Sequence, residues 1–129
     1  GTSYPAYATS LGKALLSNKN KKELEKLYPK NFDKITENTL NNINELYQQI
    51  KQIKKEKIAI EIGEMNPQIE CMAVGIEHKN KIIAAISISY LIYCSNKAFR
   101  EKNKKILLEE KNKIEKVLKI YFNDLDTLY

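Results

Sequence analysis

A chain of 129 residues is enough for one domain whose core needs neither disulfides nor metal to hold it. With 43% hydrophobic and 29% charged residues it has the composition of a globular protein, and no apolar run approaches the ~18 residues that span a bilayer. The net charge of +6 comes almost wholly from lysines interleaved with glutamate, and near-absence of arginine argues for solvated helix faces over a DNA-reading surface. No signal peptide is visible, so a cytoplasmic protein without a membrane partner is expected. Cys71 and Cys94 make no framework and are expected as free thiols on buried strands. The single histidine, His78, sits in Glu-His-Lys-Asn-Lys, where exposure is expected; it excludes histidine-rich metal sites, and no metal or cofactor is anticipated.

The opening stretch, Tyr4-Pro5-Ala6-Tyr7-Ala8-Thr9-Ser10-Leu11-Gly12-Lys13-Ala14-Leu15-Leu16-Ser17, predicts a helix from about Pro5 to Ser17. Pro5 suits a first turn, and Tyr7, Leu11, Ala14 and Leu15 share a face. A glycine inside a helix costs roughly 1 kcal/mol relative to alanine, so Gly12 needs a packing or ligand reason. Lys21 to Leu27 reads as a shorter helix stopped by Pro29, and residues 31–38 as loop. Thr39 is expected to cap a longer helix carrying Leu40, Ile43, Leu46, Tyr47, Ile50 and Ile53 at helical spacing.

After Lys57 the pattern becomes strand-like: Ile58 to Ile62, then Ile69 to Ile76, then Ile82 to Tyr90. The short connections predict antiparallel neighbours. From Asn96 or Lys97 the chain returns to helix through about Phe122, with an apolar stripe of Phe99, Leu107 or Leu108, Ile114, Val117, Leu118, Tyr121 and Phe122. The expected class is α+β, an antiparallel sheet flanked by helices, and three strands make that sheet thin.

The opening segment, together with Ala84-Ala85-Ile86-Ser87-Ile88-Ser89, resembles the effector-binding domain of the IclR family of bacterial transcription regulators. The family helix reads close to Pro-X-X-Ala-Thr/Ser-X-X-Gly-Lys-Ala-Leu-Leu-Ala and the later strand close to Ala-Ala-Ile-Ser-Val-Ser. The resemblance implies a GAF-like or profilin-like fold, with residues 1–129 forming a partial, truncated version of the family domain. The first strands and the winged-helix DNA-binding domain are expected to lie outside this chain, so DNA would be bound only through that absent N-terminal part. It also implies a homo-oligomer and a small organic effector, a carboxylate among the candidates. That effector would lie between the sheet and the loop leading into the glycine helix. Carried over by position, Ser10 and Leu11 offer helix amides, Glu61 an acid, Cys71 a second-strand contact, and Ser87 and Ser89 hydroxyls. Tyr4 and Ile69 supply apolar wall.

Read without the family, the residues leave alternatives open. Ser87 and Ser89 point to one side of a strand and Ile86 and Ile88 to the other, yet the serines could simply meet a helix. Leu11 could be core, Ser10 a cap and Cys71 a packed thiol. Glu61, between isoleucines, needs a partner or solvent. Three departures from the family pattern are visible: Ser10 and Leu11 replace small residues before the glycine, Gln68 stands where a glycine is usual, and Tyr90-Leu91-Ile92 replaces a glycine-proline turn. Helix amides favour an anionic end, so the expected ligand pairs a carboxylate with a hydroxyl or carbonyl. Two rivals are a ligand-free dimerisation module built on the terminal helix and a GAF-type thiol enzyme using Cys71, Cys94 and Glu61. No histidine is placed to activate a thiol, and no enzymatic activity is expected.

Overall fold

Thr9 divides the opening segment into two short turns where the sequence predicts one helix. In the computed structural model, which describes residues 2–122, Ala6–Ala8 form a 3-10 turn and Ser10–Leu15 form helix α1. Thr9 keeps extended backbone, its hydroxyl accepts from the Gly12 amide at 3.0 Å, and its carbonyl accepts from Lys13. This local cap competes with helix continuation and wins. The break folds the 3-10 turn back onto α1 so closely that a Cβ on Gly12 would lie 2.4 Å from the Ala6 Cα. Close approach of backbone is therefore what requires the glycine.

Helix α2 (Lys21–Leu27) starts at a reciprocal cap between Asn20 and Glu23. Helix α3 (Ile43–Glu56) is capped by Asn42 rather than Thr39. Thr39 instead ties two loops together: its hydroxyl accepts from the amides of Ile35 and Thr36 and donates to the Glu64 carbonyl. A hydroxyl with one proton and two lone pairs is fully used by these three bonds.

Strands β1 (Ala59–Ile62), β2 (Ile69–His78) and β3 (Lys81–Leu91) form an antiparallel sheet in that order. The β2–β3 loop is only Lys79-Asn80, both at positive φ, the geometry that matches strand twist in a two-residue hairpin. Because β2 runs on to pair His78 with Lys81, His78 is buried, not exposed as expected. Register places Glu61 opposite Cys71 and Cys71 opposite Ser89; the next row on that face is Ala59, Ala73 and Ser87. Alternation sends Ile60, Met72 and Ile88 to the other face.

Each face has its own core. On one, Ala14 of α1, Leu24 of α2, and Leu46 and Ile50 of α3 pack with Ala59 and Ala73, beside Tyr7 stacked on Phe32 at 4.1 Å. On the other, Met72 and Val74 meet Leu107 of helix α4 (Lys97–Tyr121). Two polar anchors hold α4. Glu70, wholly buried, receives Arg100 at 2.5 and 3.1 Å, Ser95 at 2.9 Å and the Tyr90 hydroxyl. Farther along, β1 reaches only as far as Ala73, and α4 serves the continuing strand. Lys111 donates to the Gly75 carbonyl at 2.6 Å, and Glu115 accepts from the Glu77 amide at 2.9 Å. These bonds satisfy backbone groups that β1 would otherwise pair.

The apolar stripe expected on α4 is partly covered: Leu107 is buried, whereas Val117, Tyr121 and Phe122 are exposed. One further expectation is corrected. Cys94 is an exposed residue in a 3-10 turn, Ile92–Cys94, and not on a strand; Cys71 is a half-buried free thiol on β2.

The contact between Ala6 and Gly12 makes the first prediction. Alanine at position 12 would gain up to about 1 kcal/mol of helix propensity, but overpacking against rigid backbone costs about 1–3 kcal/mol or more. Gly12→Ala is therefore expected to lower the urea midpoint; an unchanged or raised midpoint would show that the 3-10 turn can retreat.

Candidate effector site

Helix α1 crosses the sheet where the facing residues are small. Ala59 and Ala73 lie in the core cluster shared with Ala14, and at Gly75 an added Cβ would stand 3.3 Å from the Ala14 carbonyl. Toward the other end of α1 the same face carries Glu61, Cys71, Ser87 and Ser89. There a cavity of about 640 Å³ opens between helix and strands, within the range of small-molecule sites.

All eight residues singled out in the sequence line this cavity: Tyr4, Ser10, Leu11, Glu61, Ile69, Cys71, Ser87 and Ser89. Thr9, Gly12, Leu15, Met65 and Asn66 complete much of the rim and wall. Leu11 and Leu15 are 39% and 42% exposed, so they face the opening while Tyr7 and Ala14 turn to the core. Ser10 is buried and does not cap the helix, whose N-cap is Thr9. Thr9 takes the Gly12 amide, and the first-turn amides of Ser10 and Leu11 have no acceptor within so short a helix.

Glu61, Cys71 and Ser89 form one polar row across three strands. The Cys71 sulfur lies 3.1 Å from the Ser89 hydroxyl. Burial pushes the Cys71 thiol up, which opposes formation of the nucleophilic thiolate that a thiol enzyme needs. Glu61 is buried, with one oxygen accepting from the Glu64 amide at 3.2 Å. Burial raises its carboxyl above the ordinary range.

Beneath this row lies a group that sequence reasoning missed. Lys13 is completely buried, its amine 2.6 Å from a Glu64 oxygen and 2.7 Å from the Gln49 side-chain oxygen. Burial lowers the Lys13 amine, with Glu64 pulling the other way, and burial raises the Glu64 carboxyl against the attraction of Lys13. The second Glu64 oxygen has no hydrogen-bond partner among the described residues. A signal was present: Ser10, Lys13, Ala14 and Ser17 fall at i, i+3, i+4 and i+7, the spacing of a buried stripe. A lysine on such a stripe demands a carboxylate opposite it. Among the described residues no cluster of His, Cys, Asp and Glu could hold a metal ion, and no helix is long and apolar enough to cross a membrane.

The family model for the C-terminal part of the bacterial transcriptional regulator IclR matches residues 1–116. This chain belongs to the IclR C-terminal family. Solved structures agree on the fold. A chain described as a transcriptional regulator, RHA06195 from Rhodococcus sp. RHA1, superposes with a TM-score of 0.80 at 27% identity, over 92% of this chain and 49% of that one. The repressor BlcR of Agrobacterium tumefaciens gives 0.82 at 20% identity, over 90% and 48%. A double mutant of the PobR inducer-binding domain from Acinetobacter, in complex with 3-hydroxybenzoic acid, gives 0.79 at 19%, over 89% and 67%. The chain thus spans about half the length of the first two IclR-like regulators. No curated protein matches it significantly.

The raised Glu61 carboxyl has a consequence for stability. A folded acid that holds its proton more tightly than the unfolded chain stabilises the fold below the ordinary carboxylate range, and that contribution is lost as pH rises through the folded value. Glu61→Gln lacks the titration, so its stability relative to wild type should grow between about pH 4 and about pH 8. Denaturant unfolding at both ends checks this; a constant difference would mean that Glu61 ionises normally.

Proposed function

We propose that this chain is the effector-sensing part of an IclR-type transcription regulator. A small organic molecule fills the cavity between α1 and the sheet and selects one arrangement of those elements. A winged-helix DNA-binding domain elsewhere in the full protein reads that arrangement, and the two sites are coupled through the population shift. On this reading residues 1–129 are a partial effector domain, its first strands are supplied outside the chain, and DNA is met only through the winged helix. The protein works in the bacterial cytoplasm and turns nothing over.

One observation carries the reading: three segments far apart in sequence, around residues 4–15, 61–71 and 87–89, converge on one cavity. Its wall combines apolar Tyr4, Leu11, Leu15 and Ile69 with the row of Glu61, Cys71 and Ser89, alongside Ser87. Such a lining fits a compact molecule with an apolar body, an acidic end and a hydroxyl or carbonyl. The 3-hydroxybenzoic acid held by the PobR domain has those features. The exposed Val117, Ile120 and Tyr121 of α4 also favour pairing with a second copy, which is compatible with sensing and is what a dimerisation module without ligand would use alone.

A thermal-shift panel of small hydroxy and aromatic acids separates the two. At a ligand concentration near 100 Kd a sensor gains about 2.7 kcal/mol, whereas a bare dimerisation module gains nothing from any acid. Ser89→Ala, which removes one hydrogen bond, is expected to weaken the best ligand by about three- to tenfold, and Glu61→Ala by about tenfold or more. Unchanged affinity in both variants would remove the site from this cavity.

A further inference from the structure

Two buried carboxylates, Glu61 and Glu64, lie near one buried cation, Lys13, and only Glu64 is paired with it. Lys13 sits 2.6 Å from Glu64, and its other contact, Gln49, is neutral. Glu61 takes the Glu64 backbone amide instead. The Lys13–Glu64 pair is therefore balanced by itself, and a charge on Glu61 is surplus. The ionisable groups around Glu61 are Lys13 from α1, Glu64 from the loop after β1 and Cys71 opposite it on β2, with Glu45 of α3 acting on Glu64; from β3 the neutral hydroxyl of Ser89 completes the row. Lys13 is the one cation in that set. Among the described residues that line the cavity, Glu61 is the one carboxyl group, and there is no lysine or arginine.

An anion entering this cavity meets no free positive charge and one acid. We propose that the cavity takes a monoanionic ligand together with one proton, which resides on Glu61 and is donated to a ligand oxygen. The proton comes from solvent and no bond of the ligand changes, so the cavity as a whole gains no net charge. The burial that favours neutral Glu61 acts in the same direction. A dianion brings one charge more than the proton offsets, so monocarboxylates are the preferred class. The inference rests on the sensor reading of the cavity and adds what makes an acid acceptable there.

Calorimetric titration with benzoate and with 3-hydroxybenzoate tests it, since both are monoanions across the range used. Between about pH 5.5 and about pH 8.5, wild-type affinity should fall, approaching about tenfold per pH unit at the upper end. Glu61→Gln, which donates a hydrogen bond without titrating, should show an affinity that changes less than about threefold over the range and exceeds wild type at the top. A flat wild-type profile overturns the proposal and leaves the sensor reading intact. A slope that survives in Glu61→Gln also overturns it, because a group other than Glu61, such as Lys13 or Cys71, would then be titrating. If neither acid binds wild type at any pH, the reading of the cavity as a site for such acids fails, and the proton inference fails with it. Should Glu61→Gln not fold, infrared spectra of wild type near pH 8 decide: benzoate should bring up the carbonyl band of a protonated carboxyl, and its absence overturns the proposal.

Discussion

The ion pair between Lys13 and Glu64 is the constraint on which the cavity depends. It joins α1 to the loop after β1, and through Gln49 it reaches α3. A fully desolvated ammonium is tolerated only with partners of good geometry, and removing one partner from such a pair typically costs about 3–5 kcal/mol. Thr39 and Thr36 hold the same loop from the other side through the Glu64 and Gly63 carbonyls. The loop is thus fixed at both its backbone and its side chain, and it in turn presents the Glu64 amide that holds Glu61.

The two faces of the sheet divide the labour. Toward α1 the residues are small or polar, so a helix can come close at one end and leave room at the other. Toward α4 they are large and apolar, with Met72, Val74 and Leu107 filling the layer. The long helix is oriented by charge as well as by packing. Hydrogen bonds from Arg100, Tyr90 and Ser95 outweigh the burial that would raise the Glu70 carboxyl and hold it below the ordinary range. Glu70 pushes the Tyr90 hydroxyl up in return, on top of burial. Cavity and helix therefore sit back to back, with β2 as the shared wall: Cys71 points one way, and Glu70 and Met72 the other.

What the sequence made legible follows from which forces act locally. The three strands, α2 and α4 fall within a residue or two of their expected bounds, because alternation, caps and turn chemistry are local signals. The eight cavity residues were reached through a family motif combined with strand parity, and the structure brings them to one place. The split at Thr9 was not legible, since a hydroxyl cap and a continuing helix differ only in where one side chain bonds. Thr39 was misassigned for a related reason: its partners lie both nearby, at Ile35 and Thr36, and in a loop distant in sequence. Lys13 showed its burial in the periodicity, but its partner Glu64 is 51 residues away. The α4 stripe was legible as a stripe but its burial was not, because periodicity reports amphipathicity and does not report what, if anything, covers the face.

The position of β3 has a practical corollary. Within the described sheet this strand is paired with β2 alone, and it runs for eleven residues from Lys81 to Leu91 with Ile83 half exposed. A long free ladder of amides and carbonyls with apolar side chains is a template for any passing strand. The colloidal behaviour of the polypeptide in a test tube is thereby tied to whatever lies along that border. Shielding it, by added sequence or by a charged substitution, is the rational first step in preparing well-behaved material.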